Sequence, residues 1–450
     1  MAKPEQASDS PGRKRPLDSE GTKGAAFSSR NFRRYQIARL CVILGAEAQS
    51  LAVAWQIYQI THSALYLGYT GLALFLPGLF FVLPAGHAAD RYDRKNIIVG
   101  CYIVQAVCTA LLLYLAVRGT HHVLWVYAIL FAIGSGRAFS GPASSAIQPQ
   151  LVPAGAFVNA MTWGSAIFQT ANIMGPALGG VLFAISLPNG WARWSGAPLV
   201  YSVTLITMIT FVALVSTLRP RKEVEVKHKG FSIATMLAGG RYVGQAKLLL
   251  GSISLDMFAV LLGGAVSLMP IFAQDILHAG PRGLGILRAA PALGALTISL
   301  IMARRPIQHN AGKIMLVAVA VFSVATITFG FSKSLPLSLL ALFFIGVGDN
   351  VSVIIRQTIL QLGTPPEMRG RVSAINWLFL GASNEFGEFE SGLTAHWFGA
   401  TRAVIYGGIG SLMVTGLWSV FFPTLRNVDT LDAESLLAAN RTIAESEPID

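Results

Sequence analysis

Charged residues are scarce in this chain. Only 12% of its 450 residues are Asp, Glu, Lys or Arg, about half the share found in soluble domains, whereas 53% are hydrophobic. A bilayer core about 30 Å thick needs roughly 20 apolar residues per helix, and the sequence from residue 37 to residue 423 divides repeatedly into runs of that length. This composition excludes an ordinary soluble protein and predicts an all-α polytopic membrane protein.

Cysteine is also rare, and the sequences that bind nucleotides or metals are missing. The three cysteines, Cys41, Cys101 and Cys108, all lie within apolar runs, which argues against a disulfide framework, and no spacing resembles a metal site. No G-x-x-x-x-G-K-[ST] loop is present, so ATP is not the expected energy source. We therefore expect no cofactor and no enzyme activity, with a polytopic membrane enzyme or receptor as the alternative class.

Twelve membrane spans are predicted, in two sets of six. The loop 219–247, which begins "RPRKEVEVKHKG", separates an N-terminal half (35–218) from a C-terminal half (248–423), an organisation typical of transporters that bind substrate between repeated halves. The predicted spans are 37–60, 65–85, 96–117, 123–147, 158–186, 198–218, 248–273, 283–303, 313–332, 336–361, 372–397 and 402–423, and the eleventh is the least apolar.

The net charge of +12 is unevenly placed along the chain. Most loop Lys and Arg residues follow spans 2, 6, 8 and 10, and this asymmetry predicts that both termini are cytoplasmic in an inner (cytoplasmic) membrane. The expected partners are thus the lipid bilayer, a small substrate and protons rather than nucleic acid, and the expected state is a monomer. The segment 1–34 is predicted to be a disordered tail, and 424–450 an acidic solvated tail or surface helix.

The loop after span 2 reads "GHAADRYDRK". It resembles the G-x-x-x-D-R-x-x-R-K signature of the major facilitator superfamily, which implies a charged clamp that stabilises one conformation. A carboxylate at a helix end can interact with a neighbouring helix N-terminus and with arginines in one state and lose both in another; read alone, such a loop could also serve only to orient the chain. The matching residues are Gly86, Asp90, Arg91, Arg94 and Lys95.

Span 5 contains "NIMGPALGGVLF". Gly175, Pro176, Gly179 and Gly180 resemble the G-P-x-x-G-G motif of antiporters in this superfamily, which implies export rather than import and a stretch that controls how the halves rock. Small residues also allow close helix packing without any such role.

Other segments carry the resemblance further. In span 4, "IGSGRAFSG" is similar to the R-x-x-Q-G element of the family, with Arg137 at the position implied to assist proton transfer and Ser140 where glutamine is usual. The region 346–399, "GVGDNVSVIIRQ" to "LTAHWFG", resembles a branch that contains enterobactin-type siderophore exporters. The loop "MARRPIQHNAGK" stands where the second half would carry its own clamp, but it lacks the aspartate.

Nine charged residues fall well inside the predicted spans, away from the span ends. A charge at a helix centre costs about 2.5–3.5 kcal/mol on insertion scales, so such residues usually face a cavity or a partner. From the helical rise of about 1.5 Å per residue, we predict the pairs Glu47 with Arg137, Asp256 with Arg356, and Arg288 with Glu388 or Glu390. Each pair could be a proton-coupling site or only a structural ion pair. The nine residues are Glu47, Arg137, Asp256, Arg288, Asp349, Arg356, Glu385, Glu388 and Glu390.

Three of these charges lie within "GASNEFGEFESG" in span 11. At about 100° per residue, Glu385 and Glu388 are roughly 60° apart, whereas Glu390 is about 140° from Glu385. We therefore expect Glu385 and Glu388 to share a protonatable face, and Glu390 to reach Arg288 or another helix.

The leading hypothesis is a secondary transporter that exports an amphipathic small molecule, such as a siderophore or drug, in exchange for protons. An importer, a facilitator or a lysolipid flippase of the same fold is the alternative. Aromatic side chains suit such ligands, although they often serve packing instead. The candidates for the cavity wall are Trp55, Tyr58, Trp163, Phe258 and Trp377.

Overall fold

The computed structural model describes residues 25–119, 122–153, 156–218, 233–365 and 367–441. These residues form helices and connecting turns, and no strand occurs within the described ranges. The helices are α1 (Arg30–Thr61), α2 (Ala64–Arg91), α3 (Arg94–Arg118), α4 (Val123–Ile147), α5 (Phe157–Phe183), α6 (Ala197–Ser216), α7 (Ile233–Gln245), α8 (Lys247–Leu262), α9 (Met269–Ile271), α10 (Gly280–Arg304), α11 (Ala311–Phe331), α12 (Leu335–Leu362), α13 (Arg369–Phe398), α14 (Ala400–Phe421), α15 (Pro423–Arg426) and α16 (Ala433–Arg441).

Eleven helical segments in the described part of the chain are long and apolar enough to cross a membrane. They match eleven of the twelve predicted spans. The remaining one, α13, has 30 residues, about 45 Å at 1.5 Å per residue, and is long enough to span. Its three glutamates and the arginines of its first turn reduce its hydropathy, so it depends on its protein neighbours within the membrane.

The helix boundaries follow from capping residues. Ser29 accepts the backbone N–H of Phe32 at the start of α1, and Asp93 accepts those of Lys95 and Asn96 at the start of α3. Gly119 ends α3 with a φ of 67°, a left-handed conformation that glycine adopts without steric cost. These caps place each turn at a defined position.

The sequence predicted a continuous seventh span over 248–273, but in the structure this span is broken. The helix α8 ends at Leu262, and Gly263 and Gly264 interrupt it before a 3₁₀ turn, α9 and a π-helical turn over Phe272–Ile276. Two consecutive glycines weaken a helix because they lose much backbone entropy on ordering. The break leaves the C-terminal end of α8 inside the bundle.

Two six-helix halves pack against each other in a symmetric pattern. Helices α1 to α6 form the N-terminal half, and α8 with α10 to α14 forms the C-terminal half; α5 packs on α10, and α2 packs on α13. Helices 5 and 2 of one half thus contact helices 2 and 5 of the other. We call the end of the bundle where α1 begins and α14 ends the terminal face, and the other end the opposite face.

The halves are in close contact at the opposite face, through glycines. A Cβ added to Gly180 of α5 would lie 2.9 Å from the Cα of Gly285 in α10, and one added to Gly392 of α13 would lie 2.8 Å from the Cα of Gly68 in α2. Any larger side chain at these positions would push the two backbones apart. The Oη of Tyr58 in α1 also donates a hydrogen bond to Asp275 of the π-helical turn.

Several predicted boundaries require correction. Helix α1 begins at Arg30, so residues 30–34 are not part of a disordered tail, and Phe32 is fully buried. Helix α7 forms within the predicted central loop 219–247. Residues 1–24, 219–232 and 442–450 lie outside the described residues, and the predictions made for them stay predictions.

The segment 423–441 packs onto the terminal face of the C-terminal half. Leu425 and Leu436 are buried, and the side-chain amide of Asn440 donates to the carbonyl of Gly363 at the end of α12, 2.8 Å away. Of the two sequence interpretations, a solvated tail and a surface helix, the second describes this segment. It is nevertheless more firmly packed than a surface helix would be.

Candidate functional site

A small cavity lies between the halves and is lined by charged residues from both. We call it the interface cavity. Its volume is about 120 Å³, and its walls include Arg137 of α4, Arg288 of α10, and Glu385 and Glu388 of α13. Since a water molecule occupies about 30 Å³ of liquid volume, the cavity has room for a few waters. It is too small in this conformation for an organic substrate.

Charges of opposite sign interact at the interface cavity, both within the C-terminal half and across the boundary between the halves. The Nη1 atom of Arg288 donates to the hydroxyl of Ser50 in α1, 3.2 Å away, and its guanidinium interacts electrostatically with Glu388 and Glu47. Arg137 interacts in the same way with Glu385. The predicted pair of Glu47 with Arg137 is therefore replaced by two pairs that cross between halves, because Glu47 lies on the side of α1 that faces α5 and α10.

Two glycines give these carboxylates their space. A Cβ at Gly71 of α2 would lie 2.8 Å from Oε2 of Glu388, and one at Gly175 of α5 would lie 3.3 Å from Cγ of Glu47. Gly71 was not among the residues predicted from the sequence. Its position one turn from Gly68, on the helix face that meets α13, is the only signal that could have indicated it.

The three glutamates of α13 divide as helical geometry predicted. Glu385 and Glu388 line the interface cavity, whereas Glu390 lies in an apolar groove with Met257, Leu261 and Phe386. Of the two predicted alternatives, Arg288 or another helix, the groove places Glu390 beside α8, and its Oε1 accepts a hydrogen bond of 2.7 Å from Thr394 on its own helix.

A second and larger cavity, which we call the C-half cavity, lies within the C-terminal half. Its volume is about 440 Å³, and Asp256, Asp349, Asn384 and Glu388 are its polar lining residues, in a wall that is otherwise mostly apolar. Glu388 thus faces both cavities. Its carboxylate is the polar group that the two cavities share.

The predicted pairing of Asp256 with Arg356 is confirmed. Nη2 of Arg356 lies 3.2 Å from Oδ2 of Asp256, and both side chains are at most 4% exposed. Nη1 of Arg356 also donates to Oδ1 of Asn376 in α13, 2.6 Å away. Asn376 was not predicted from the sequence, although an amide inside a predicted membrane span is itself a signal of a buried polar partner.

The clamp motif lies at the terminal face, where α2 ends and α3 begins. Nζ of Lys95 approaches the carbonyl oxygens of Ser216 and Leu218, 3.4 and 3.3 Å away, and so ties α3 to the end of α6. Arg91 is exposed and Arg94 half-buried. The backbone of Asp90 lies in α2, and its side chain is outside the described residues, so the clamp role of the motif, including Gly86, stays a prediction.

The glycine motif of α5 meets two different partners. Gly179 packs on α1, where an added Cβ would lie 2.8 Å from the Cα of Ala48, and Gly180 packs on α10 of the other half. The carbonyl of Pro176 faces Gly285 in the same contact, 2.9 Å from an added Cβ. One short motif therefore joins packing within a half to packing between halves.

The aromatic residues predicted for the cavity wall are used for packing instead. Trp55 is buried against Phe183, and Tyr58 takes part in the contact with Asp275 described above. The rings of Trp163 and Phe258 contact Phe27 and Trp418. The side chain of Trp377 lies outside the described residues. Phe322, which was not predicted, lines the C-half cavity.

The described residues contain no group of three His, Cys, Asp or Glu side chains arranged to hold a metal ion. Cys41, Cys101 and Cys108 are free thiols. The chemistry available at the two cavities is therefore that of carboxylates and guanidiniums, which bind and release protons or charged groups.

The comparison with protein families decides the class. Residues 22–447 match the transmembrane secretion effector family. The chain belongs to this family of the major facilitator superfamily. Its relatives include the enterobactin exporter EntS of Citrobacter koseri, 26% identical over 391 residues that cover 85% of this chain and 86% of the relative, and that of Salmonella typhimurium, 27% identical over 390 residues with the same coverage.

Solved structures show the fold of this secretion-effector chain. A bacterial homologue of the human lysosomal transporter Spinster, in an inward-facing and unoccupied conformation, aligns with a TM-score of 0.67 and 15% identity over 95% of this chain and 100% of that one. A D-xylose–proton symporter aligns with a TM-score of 0.67 and 12% identity over 86% of this chain and 98% of that one. The chain is a multi-pass membrane transporter and not an enzyme.

Proposed function

We propose that this transporter exports an amphipathic small molecule by alternating access, in exchange for protons. The observation that supports the proposal most directly is the interface cavity, where Arg137 of α4 interacts with Glu385 of α13, and Arg288 of α10 with Glu47 of α1, across the boundary between the halves. Charges that attract each other across this boundary hold the halves together. A change of charge there changes how firmly they are held.

Protonation supplies such a change. When a proton neutralises Glu388, Arg288 loses this partner within its own half, and its interaction with Glu47 of α1 across the boundary changes in turn. When the proton leaves, the ion pair forms again. The volume of about 120 Å³ suits water and protons rather than an organic ligand, which favours a coupling role for this cavity.

The contacts between the halves are the part of the structure that has to open and close during transport. The contacts Gly180 with Gly285 and Gly68 with Gly392 close the opposite face, which is the external side if the termini are cytoplasmic as the loop charges predict. Rocking of the halves has to open these contacts to release substrate outward. The G-P-x-x-G-G motif contributes Gly180 and the carbonyl of Pro176 to one of them.

The test uses inside-out membrane vesicles, in which export appears as uptake. Energised vesicles are given ethidium, enterobactin or a fluorescent lysolipid, with and without an uncoupler, and uptake is compared for the original protein, Glu388→Gln and the control Glu390→Gln. We expect uptake of at least one probe that the uncoupler abolishes, a loss of at least tenfold for Glu388→Gln, and little change for Glu390→Gln, which lies outside both cavities.

Three results would count against the proposal. Uptake that persists fully with uncoupler indicates a facilitator or a flippase, uptake only into right-side-out vesicles indicates an importer, and full coupled activity of Glu388→Gln excludes this carboxylate from coupling. Termini placed on the external side by protease protection would reverse the proposed direction.

A further inference from the structure

The C-half cavity has the dimensions and lining of a ligand pocket. Its volume of about 440 Å³ falls within the range of roughly 300–1,000 Å³ in which proteins bind small molecules, usually with an apolar wall and a few convergent polar groups. We propose that this cavity binds the transported molecule and selects an amphipathic monovalent cation. The inference rests on the proposed export function and specifies its substrate.

The charge balance of the lining carboxylates and of the groups that interact with them favours a cation. Asp256 is paired with Arg356, and Asp349 interacts with the same guanidinium. Glu388 interacts electrostatically with Arg288, which interacts in the same way with Glu47. Four carboxylates therefore share two guanidiniums, and uncompensated negative charge within a membrane is costly. A ligand that carries one positive charge, or a proton, removes part of this excess.

The broken seventh span contributes independently of the side chains. Helix α8 ends at Leu262, and the break at Gly263 and Gly264 forms part of the cavity wall together with Val260 and Ala265. The C-terminus of a helix carries a partial negative charge, and half-helix C-terminal ends coordinate cations in other transporters. The backbone and the carboxylates thus favour the same sign of ligand.

The remaining wall defines the apolar part of the ligand. Phe322, Leu342, Ile345 and Val353 surround the space beyond the carboxylates. An aromatic ring attracts a cation over its face and accepts apolar groups along its edge. An ammonium or phosphonium centre near Asp349, with aryl or alkyl substituents against the apolar wall, satisfies both parts.

Asp349 is the residue at which ligand and proton compete. The charged groups that face it are Asp256 of α8, Arg356 of its own helix and Glu388 of α13, while α10 and α11 contribute Pro291 and Phe322 to the wall. Because Asp256 already has Arg356 at 3.2 Å, Asp349 is the carboxylate most available to a second cation. Binding of a cation then releases the proton held by Asp349.

The experiment measures binding without any gradient. Purified full-length protein in detergent is dialysed against tetraphenylphosphonium and, separately, against tetraphenylborate, which has a similar shape and the opposite charge. Proton release on binding is recorded in weakly buffered solution. We expect at least tenfold preference for the phosphonium, release of up to one proton, and a loss of at least tenfold in affinity together with the proton release in Asp349→Asn.

Two variants control for unfolding. Asp349→Glu keeps the carboxylate and is expected to restore binding to within a few fold, and Glu390→Gln, outside the cavity, is expected to bind as the original protein does. Equal binding of both probes, failure to bind the phosphonium, or unchanged affinity in Asp349→Asn overturns the inference. The two proposals can fail separately. Phosphonium binding without coupled vesicle uptake would support the cation site and contradict the export function. Coupled uptake of enterobactin without phosphonium binding would support the export function and contradict the cation site.

Discussion

The two halves of the transporter share one helix arrangement but place their charges differently. In the N-terminal half, Glu47 and Arg137 find their partners across the boundary, on α10 and α13. In the C-terminal half, Asp256 and Arg356 neutralise each other inside one bundle and are almost fully buried. The first half therefore depends on its neighbour for charge compensation, whereas the second contains a polar core of its own.

A similar contrast occurs at the terminal face. Asp93 caps α3 from the residue directly before the helix, with its Oδ1 2.8 Å from the backbone nitrogen of Lys95. The equivalent helix α11 follows "MARRPIQHNAGK", which has no aspartate, and Asn310 before it adopts a left-handed φ of 56°. The cap is supplied instead by Asp429, whose Oδ1 accepts the backbone N–H of Asn310 at 2.7 Å.

The largest expected effect concerns the buried ion pair. Replacing Arg356 by Met leaves Asp256 buried without its partner, which typically costs about 3–5 kcal/mol, so we expect a marked drop in the apparent melting temperature in detergent. Arg137→Met is expected to change stability by less than about 0.5 kcal/mol, because Arg137 is exposed and exposed substitutions have small effects. Equal losses for the two variants would contradict the contrast between the halves.

The next effect concerns the contact between the halves. Gly180→Ala places a methyl group 2.9 Å from the Cα of Gly285, and overpacking of this kind costs about 1–3 kcal/mol. Since the strain exists only while the opposite face is closed, we expect an altered transport rate with little change in expression or in the stability of either half. Gly100→Ala is the matched control, because an added Cβ there has nothing within 4 Å; loss of transport in both would point to helix propensity instead.

A smaller effect concerns the two caps. Asp93→Ala removes a local cap, which is worth about 0.5–2 kcal/mol, and should speed hydrogen exchange only in the first turn of α3. Asp429→Ala should speed exchange at Asn310 but not in the segment 433–441, which Asp432 caps and Asn440 ties to Gly363. Faster exchange in 433–441 as well would mean that this segment depends on Asp429.

The smallest effect is a pH dependence of the second cap. Hydrogen bonds from the backbone of Asn310 and from His309 lower the pKa of Asp429 below its usual range. A lowered folded-state pKa means that the stabilisation is present above the unfolded pKa of about 3.9 and is lost as pH falls through the folded pKa. Protection of Asn310 should thus converge with that of Asp429→Ala only below about pH 4; convergence already at pH 6 would contradict the lowered pKa of Asp429.

The sequence predicted the features that depend on local patterning. Hydrophobic runs gave the spans, and the 100° rotation per residue separated Glu390 from Glu385 and Glu388. Depth counting paired Asp256 with Arg356 correctly, because the facing sides of α8 and α12 also bring the two side chains together. The same counting failed for Glu47 and Arg137, since depth along a helix does not specify which side of the helix meets which neighbour.

Other features depend on contacts that are remote in sequence. The aromatic cavity wall was wrong for Trp55 and Tyr58 because large rings are most often used to fill packing space. The roles of Gly71 and Asn376 were recognised only from the structure, in which they contact Glu388 and Arg356. Asp429 lies 119 residues from the amide that it caps, and no local pattern connects the two positions.

That distance has a consequence for how the protein is made. The start of α11 is synthesised more than a hundred residues before Asp429, so the first turn of this helix has to wait without its cap until translation reaches Asp429. The backbone bonds of Ala311 to Asp429 and of Gly312 to Val428, at 3.0 and 2.9 Å, form at the same late moment. Completion of the second half therefore requires a polypeptide that extends to Asp429, and chains that terminate before this residue retain a weak point at the start of α11.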